Sequence, residues 1–338
     1  MRAVRLNQHR DVSTAPLAVE DVPAPEPGPG EVLVRVRACG VCHTDLHVVE
    51  GELPGRPLPI TPGHQVVGVV EATGRGASRL RPGARVGVPW LSRTCGECRF
   101  CKRGLENLCE RGRFTGYDVD GGYAEYLTVH EEFAHPLPSD ASDEDVAPLL
   151  CAGVIGYRAL CLCGVGPGDT LGLYGFGASA HIVIQIARFQ RLRVFVYTRS
   201  AGHRELARQL GAEWVGRAGE QAPGELDGAI VFAPAGGLVP LALGALRKGG
   251  TVALAGIHMS PIPEMEYGLL YGERVLRSVA NSTRADVRDL LTVAAAVGVQ
   301  TKVQTFPLEQ ANEALQQLKA GKIDGAGVLT IDQAGRGP

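Results

Sequence analysis

No run in this 338-residue chain approaches the roughly 18 consecutive apolar residues of a membrane-spanning helix. The first residues, MRAVRLNQHRDVS, carry basic side chains without the apolar stretch that a secretory signal places after them. A cytoplasmic location is therefore expected. An excess of one charge is lacking too: 34 Lys plus Arg against 36 Asp plus Glu leave a formal net charge of -2. That is too little for broad attraction to nucleic acid or an acidic membrane surface, and neither partner is expected. Lysine is scarce, 5 residues against 29 arginines, an imbalance that says nothing about function. No unit recurs at a fixed period, so a repeat architecture is not indicated.

What is present is ordinary for a folded protein, with 45% hydrophobic and 21% charged residues. The length exceeds that at which one hydrophobic core stops growing, so two domains are expected. Residues 1 to about 145 hold short alternating runs such as Val32, Val34 and Val36, or Val66 to Val70, broken by glycine and proline. This is the pattern of a strand-and-loop domain, with no long helix evident. From about residue 165, apolar strands are expected at Leu171 to Tyr174, Val194 to Tyr197, Ala229 to Phe232, Thr251 to Ala255 and Val275 to Ala280. Their separation by helical stretches fits successive βαβ units and a parallel sheet. Helices are expected at Arg284 to Ala296 and Leu308 to Ala320, then a last strand in GVLTI.

Nine cysteines in a chain without a secretion signal point to metal ligation rather than disulfides. Cys95, Cys98, Cys101 and Cys109 form C-x2-C-x2-C-x7-C. Four thiolates so close surround one tetrahedral zinc and leave no position for substrate, which marks a structural site. The ferredoxin pattern, with its three-residue spacer and following proline, is absent. A second set is spread along the chain: Cys42 in GVCHTD, His64 in GHQ and Cys151 in CAG. Cys, His and Cys are the ligand composition of a catalytic zinc with one open position. Finally Gly175-Phe176-Gly177-Ala178-Ser179-Ala180 gives G-x-G-x-x-A between an expected strand and helix, the setting of a dinucleotide-binding turn.

These motifs, in the order GVCHTDLH, TPGHQVVGVV, the four-cysteine loop, DGGYAEY, CAGVIGY and the glycine turn, resemble the zinc-containing alcohol dehydrogenases of the medium-chain dehydrogenase/reductase family. The resemblance spans essentially the whole chain. It implies an α/β protein with a GroES-like, strand-rich catalytic domain over 1–150 and 288–338 and a Rossmann doubly wound parallel-sheet domain over 151–287. It implies two Zn2+ per chain, the catalytic one on Cys42, His64 and Cys151, with Asp45 holding the His64 ring. Thr44 and His47 are implied as the proton relay, and His43, Gly175, Gly177, Ala180, Gly256 and Ile257 as cofactor contacts. Trp90, Val49 and Tyr117 are implied as substrate-pocket residues. Cys39, Cys161 and Cys163 match no ligand position and are expected to be structural. A homodimer or homotetramer acting on a small alcohol or aldehyde is implied as well.

The departures are informative. NAD-specific relatives end the second sheet strand with an acidic residue, where this chain has Thr198-Arg199-Ser200. A guanidinium beside two hydroxyls suits a 2′-phosphate, so NADP(H) is favoured over NAD(H). Val49 replaces a tryptophan of ethanol-selective enzymes, which favours longer or aromatic substrates. Gln65 stands for a glutamate, Gly325-Ala326-Gly327 lacks an arginine, and Ile155 stands for a threonine near the nicotinamide. A zinc-dependent polyol dehydrogenase and a non-catalytic, zinc-stabilised nucleotide-binding protein are the alternatives.

Overall fold

A computed structural model describes residues 1–53, 58–138, 141–323 and 325–331. The chain divides into two units. One comprises Met1–Cys151, Thr283–Leu291 and the residues from Thr301 onward; the other comprises Ala152–Ser282 and Thr292–Gln300. The division falls within the helix Arg284–Val297.

The first unit is built on the strand Glu31–Val41, whose side chains alternate between buried and half-buried as far as Val36. That alternation places Val32, Val34 and Val36 in the core with Val66, Val70, Val86 and Leu127. It pairs antiparallel with Val66–Thr73, with Tyr126–His130 over its first residues and with Ala326–Thr330 over its last. Strand Ala326–Thr330 corresponds to the expected GVLTI. It pairs in parallel with Val303–Pro307, which the sequence pattern does not announce. The expected helix at Leu308 to Ala320 opens as a 3-10 turn, Leu308–Gln310, and becomes α-helical over Ala311–Lys319.

The second unit carries a parallel sheet. Its order is Trp214–Gly216, Arg193–Tyr197, Thr170–Tyr174, Leu226–Val231, Leu246–Leu254 and Val275–Ser278. Relative to chain order this is 3-2-1-4-5-6, the doubly wound arrangement. Trp214–Gly216 is the strand the sequence reading lacks. In the core, Tyr174 and Tyr197 lie in register and stack 4.2 Å apart. Among the described residues no single helix is long and apolar enough to cross a membrane.

Candidate active site

The strand Glu31–Val41 is continuously buried over its last four residues and delivers Cys42 to the start of the helix His43–Glu50. Cys42 caps that helix. Its Sγ accepts from Thr44 N at 3.5 Å, while Asp45 Oδ2 accepts from Cys42 N at 2.9 Å. This is the reciprocal capping arrangement, with sulfur in place of a hydroxyl and Asp in place of Glu. Asp45 Oδ1 in turn accepts from His64 Nδ1 at 2.8 Å and from Gly63 N at 3.2 Å. With Nδ1 committed to Asp45, Nε2 is the ring nitrogen turned toward the thiols, 3.3 Å from Cys151 Sγ. Cys151 follows the turn Ala147–Leu150, and its Sγ is 3.7 Å from Cys42 Sγ. All three ligand atoms lie within 4.8 Å of one another.

These donors fit zinc. Sulfurs about 2.3 Å from a tetrahedral ion sit about 3.8 Å apart, close to the separation of Cys42 and Cys151. Burial works against a charge on His64, yet the Asp45 carboxylate and the Cys42 sulfur override it and hold its pKa up to about 10. Hydrogen bonding by Cys151 and His64 draws the Cys42 thiol well below its ordinary range. The same contact, with burial, pushes Cys151 up. Cys42, His64 and Cys151 would hold a zinc here, and His64 Nε2 and the Cys151 thiol would give up their protons as it binds.

The other four cysteines also converge. Their Sγ separations are 3.9 Å for Cys95–Cys101, 3.5 Å for Cys98–Cys101 and 3.5 Å for Cys95–Cys109. Backbone N–H groups of Cys95, Cys98 and Cys101 point at Cys109, Cys95 and Cys98 sulfurs respectively. Such donors stabilise thiolates, and amides of Glu97 and Cys98 bring Cys95 down to about 6. Inside the loop, Glu106 receives Arg284 through its N, Nε and Nη2 at 2.9, 3.0 and 2.8 Å, a partnership no local pattern reveals.

Trp90 meets His64 edge to face, with centroids 5.0 Å apart. Tyr117 is stacked near it, and Phe114, absent from the sequence-derived pocket, is stacked as well. Val49 is fully buried in the apolar core. Thr44 is buried with Oγ1 3.8 Å from Cys42 Sγ, and His47 pairs through Nδ1 with Glu52, a partner the motifs did not indicate. His43 is exposed at the first turn of its helix. Gln65 O accepts from Gly40 N at 2.9 Å, and Gly327 pairs with Val41. Gln65 and Gly327 thus flank the same strand end. Of the spare cysteines, Cys39 and Cys163 are buried, whereas Cys161 is exposed.

In the second unit, Gly175 adopts φ 93°, and a Cβ there would lie 3.0 Å from Ala233 N, so this turn requires glycine. Gly177 caps the helix Ala178–Phe189 without a side-chain acceptor, and the space at its Cα is open. An uncapped helix start with a bare approach fits a pyrophosphate. Ala180 is buried on that helix, Ile155 is half-buried on Ala152–Cys163, and Gly256 and Ile257 follow Leu246–Leu254. Thr198 is buried at the end of Arg193–Tyr197, and Arg199 is exposed. Ser200 caps the next helix, its Oγ accepting from His203 N. Arg204, a second guanidinium missed in the sequence, donates to the carbonyls of Thr198 and Arg199 at 3.3 and 2.8 Å.

Residues 28–139 match the family described as "Alcohol dehydrogenase GroES-like domain". The chain is 49% identical over 337 residues to "Probable alcohol dehydrogenase AdhA" of Mycobacterium tuberculosis, covering 98% of this chain and 97% of that one. It is 39% identical over 331 residues to an alcohol dehydrogenase of Geobacillus stearothermophilus, covering 94% and 97%. Among solved structures, a cinnamyl alcohol dehydrogenase of Sorghum bicolor superposes with a TM-score of 0.89 at 28% identity over 97% of each chain. With its two cysteine clusters, its glycine turn and these relatives, the chain is an oxidoreductase that belongs to the zinc-containing alcohol dehydrogenases of the medium-chain dehydrogenase/reductase family.

Proposed function

We propose that the chain interconverts a primary alcohol, long-chain or aromatic, and its aldehyde, using NADP(H) in preference to NAD(H) and a zinc held by Cys42, His64 and Cys151. The observation that carries this is the convergence of two thiols and an imidazole Nε2 within 4.8 Å, with the Nδ1 side committed to Asp45. A zinc bound there supplies Lewis-acid polarisation of the substrate oxygen. The chain's own residues handle the proton. Thr44 Oγ1, buried beside Cys42, receives it from the substrate hydroxyl and releases its own hydroxyl proton toward His47. His47, partly open to solvent and paired with Glu52, passes it to water. The helix start at Gly177 binds the pyrophosphate, and Thr198, Arg199 and Ser200 bind the 2′-phosphate. The four-cysteine loop holds a second, structural zinc, and the active form is a homodimer or homotetramer.

An activity panel of alcohols and aldehydes, run with NADPH and NADH beside metal analysis, tests this. Two zincs per chain are expected, one removed by mild chelation together with activity. A fully active metal-free enzyme would refute the proposal.

A further inference from the structure

The segment Gly121-Gly122-Tyr123 runs along the loop that carries His64 and is bonded to it three times. Gly121 N donates to Thr61 O at 2.7 Å, Gly122 N to Gly63 O at 2.9 Å and Tyr123 N to Pro62 O at 3.0 Å. Two glycines allow this approach. A Cβ at Gly121 would lie 2.1 Å from Gly63 O, and one at Gly122 would lie 2.3 Å from Val66 Cγ2. The Tyr123 ring then covers Gly63, where a Cβ would meet its Cδ1 at 2.4 Å. That ring is fully buried, and its hydroxyl has no hydrogen-bond partner among the described residues. A phenylalanine would fill the same space without stranding a donor.

Burial first, then the negative charges that Asp45, Cys39 and Cys42 can carry, push this hydroxyl well above its ordinary range, so it stays a donor. Of these neighbours Asp45 has an acceptor to spare. Its carboxylate, 1% exposed, receives His64 Nδ1, Gly63 N and Cys42 N, three donors for two oxygens that accept about four. Cys42 Sγ already receives Thr44 N, and Cys39 Sγ donates to Gly40 O. Sulfur is in any case a weaker acceptor than a carboxylate.

We propose that Tyr123 is a positioning residue for the zinc centre: its hydroxyl is the fourth donor to the Asp45 carboxylate and steadies that carboxylate behind the His64 ring. This rests on the reading of Cys42, His64 and Cys151 as zinc ligands. Tyr123 acts through Asp45. A carboxylate shut away from water keeps its charge and its orientation through the donors it collects. With four it is held on His64 Nδ1, and Nε2 stays directed at the thiols. With three it is freer to turn, and the imidazole turns with it.

The test is a double-mutant cycle on zinc affinity, read by competition with a graded chelator in wild type, Tyr123→Phe, Asp45→Ala and the double variant. Tyr123→Phe keeps the ring, and with it the packing over Gly63. It should release the chelatable zinc roughly threefold to tenfold more readily than wild type, while the zinc of the four-cysteine loop is retained. Made on Asp45→Ala, the same change should have no further effect. Cobalt substituted for the chelatable zinc gives a second reading that does not depend on Asp45→Ala folding: its visible absorption, which follows ligand geometry, should shift in Tyr123→Phe while far-UV dichroism does not. Wild-type affinity in Tyr123→Phe, an unchanged cobalt spectrum, or an equal loss on the Asp45→Ala background would overturn the proposal. If Cys151→Ser holds the chelatable zinc as wild type does, the zinc reading itself fails, and this inference with it.

Discussion

Asp45 Oδ1 sits 2.8 Å from His64 Nδ1 with both side chains only 1% exposed, while the other carboxylate oxygen accepts from Cys42 N. One residue therefore sets the tautomer of one proposed ligand and the backbone of another. Asp45→Ala should weaken catalytic zinc about tenfold to hundredfold, the usual cost of losing a carboxylate behind a ligand histidine. Competition with a graded chelator measures this directly. Retention equal to wild type would separate Asp45 from metal binding.

Glu106 and Arg284, 178 residues apart, join the four-cysteine loop to the first turn of Arg284–Val297. Glu106 is nearly buried and Arg284 is about a third exposed, with a second partner in Glu132. Glu106→Gln should therefore destabilise by on the order of 2 kcal/mol rather than by the full cost of a stranded buried charge. Cys98→Ser should cost more, because a closed zinc site contributes directly to folding. Both variants should melt earlier in calorimetry. Unchanged melting in Cys98→Ser would remove the structural role of that site.

Much of this was legible because spacing carries it. Cysteines with two residues between them, and glycines between a strand and a helix, leave a mark in the sequence. Strand Trp214–Gly216 did not, since three residues show no period, and it is defined by pairing with Phe195 to Tyr197. Helix His43–Glu50 was hidden by a cysteine serving as its cap. Glu52, Phe114 and Arg204 act through tertiary contacts or a folded turn, and Arg284 meets Glu106 only in the folded chain. No motif announces such partners.

His135 is buried, and its Nε2 has no hydrogen-bond partner among the described residues. Burial, then the charges of Arg79, Arg288 and Arg284, push its pKa down to about 3, against a smaller opposing effect of Glu106. The unfolded chain binds a proton near pH 6.5 while the folded one does not, so folding is unaffected by this group above that pH. Below it, stability falls by about 1.4 kcal/mol per pH unit until the folded pKa is reached. Between pH 6.5 and 5, wild type should lose roughly 2 kcal/mol more than His135→Leu in denaturant titrations. Parallel curves for the two proteins would show that His135 takes up its proton in the folded chain as readily as in the unfolded one.

Cofactor choice turns on the residues that follow the second strand of the parallel sheet. Thr198 is buried just after Arg193–Tyr197, Arg199 is exposed beside it, and Arg204 donates to both of their carbonyls. A charged hydrogen bond to phosphate contributes about 1.5 to 3 kcal/mol, so Arg199 should supply roughly a tenfold to hundredfold preference for NADPH. Arg199→Ala should raise KM for NADPH and barely alter that for NADH. Adding Thr198→Asp should reverse the preference, because the new carboxylate accepts hydroxyls and repels a phosphate. Specificity constants for both cofactors, at one alcohol concentration and one ionic strength, measure this, since salt screens an exposed guanidinium. A wild type that prefers NADH, or an Arg199→Ala variant that discriminates as wild type does, would leave Arg199 as a solvated loop charge and assign the chain to NAD(H).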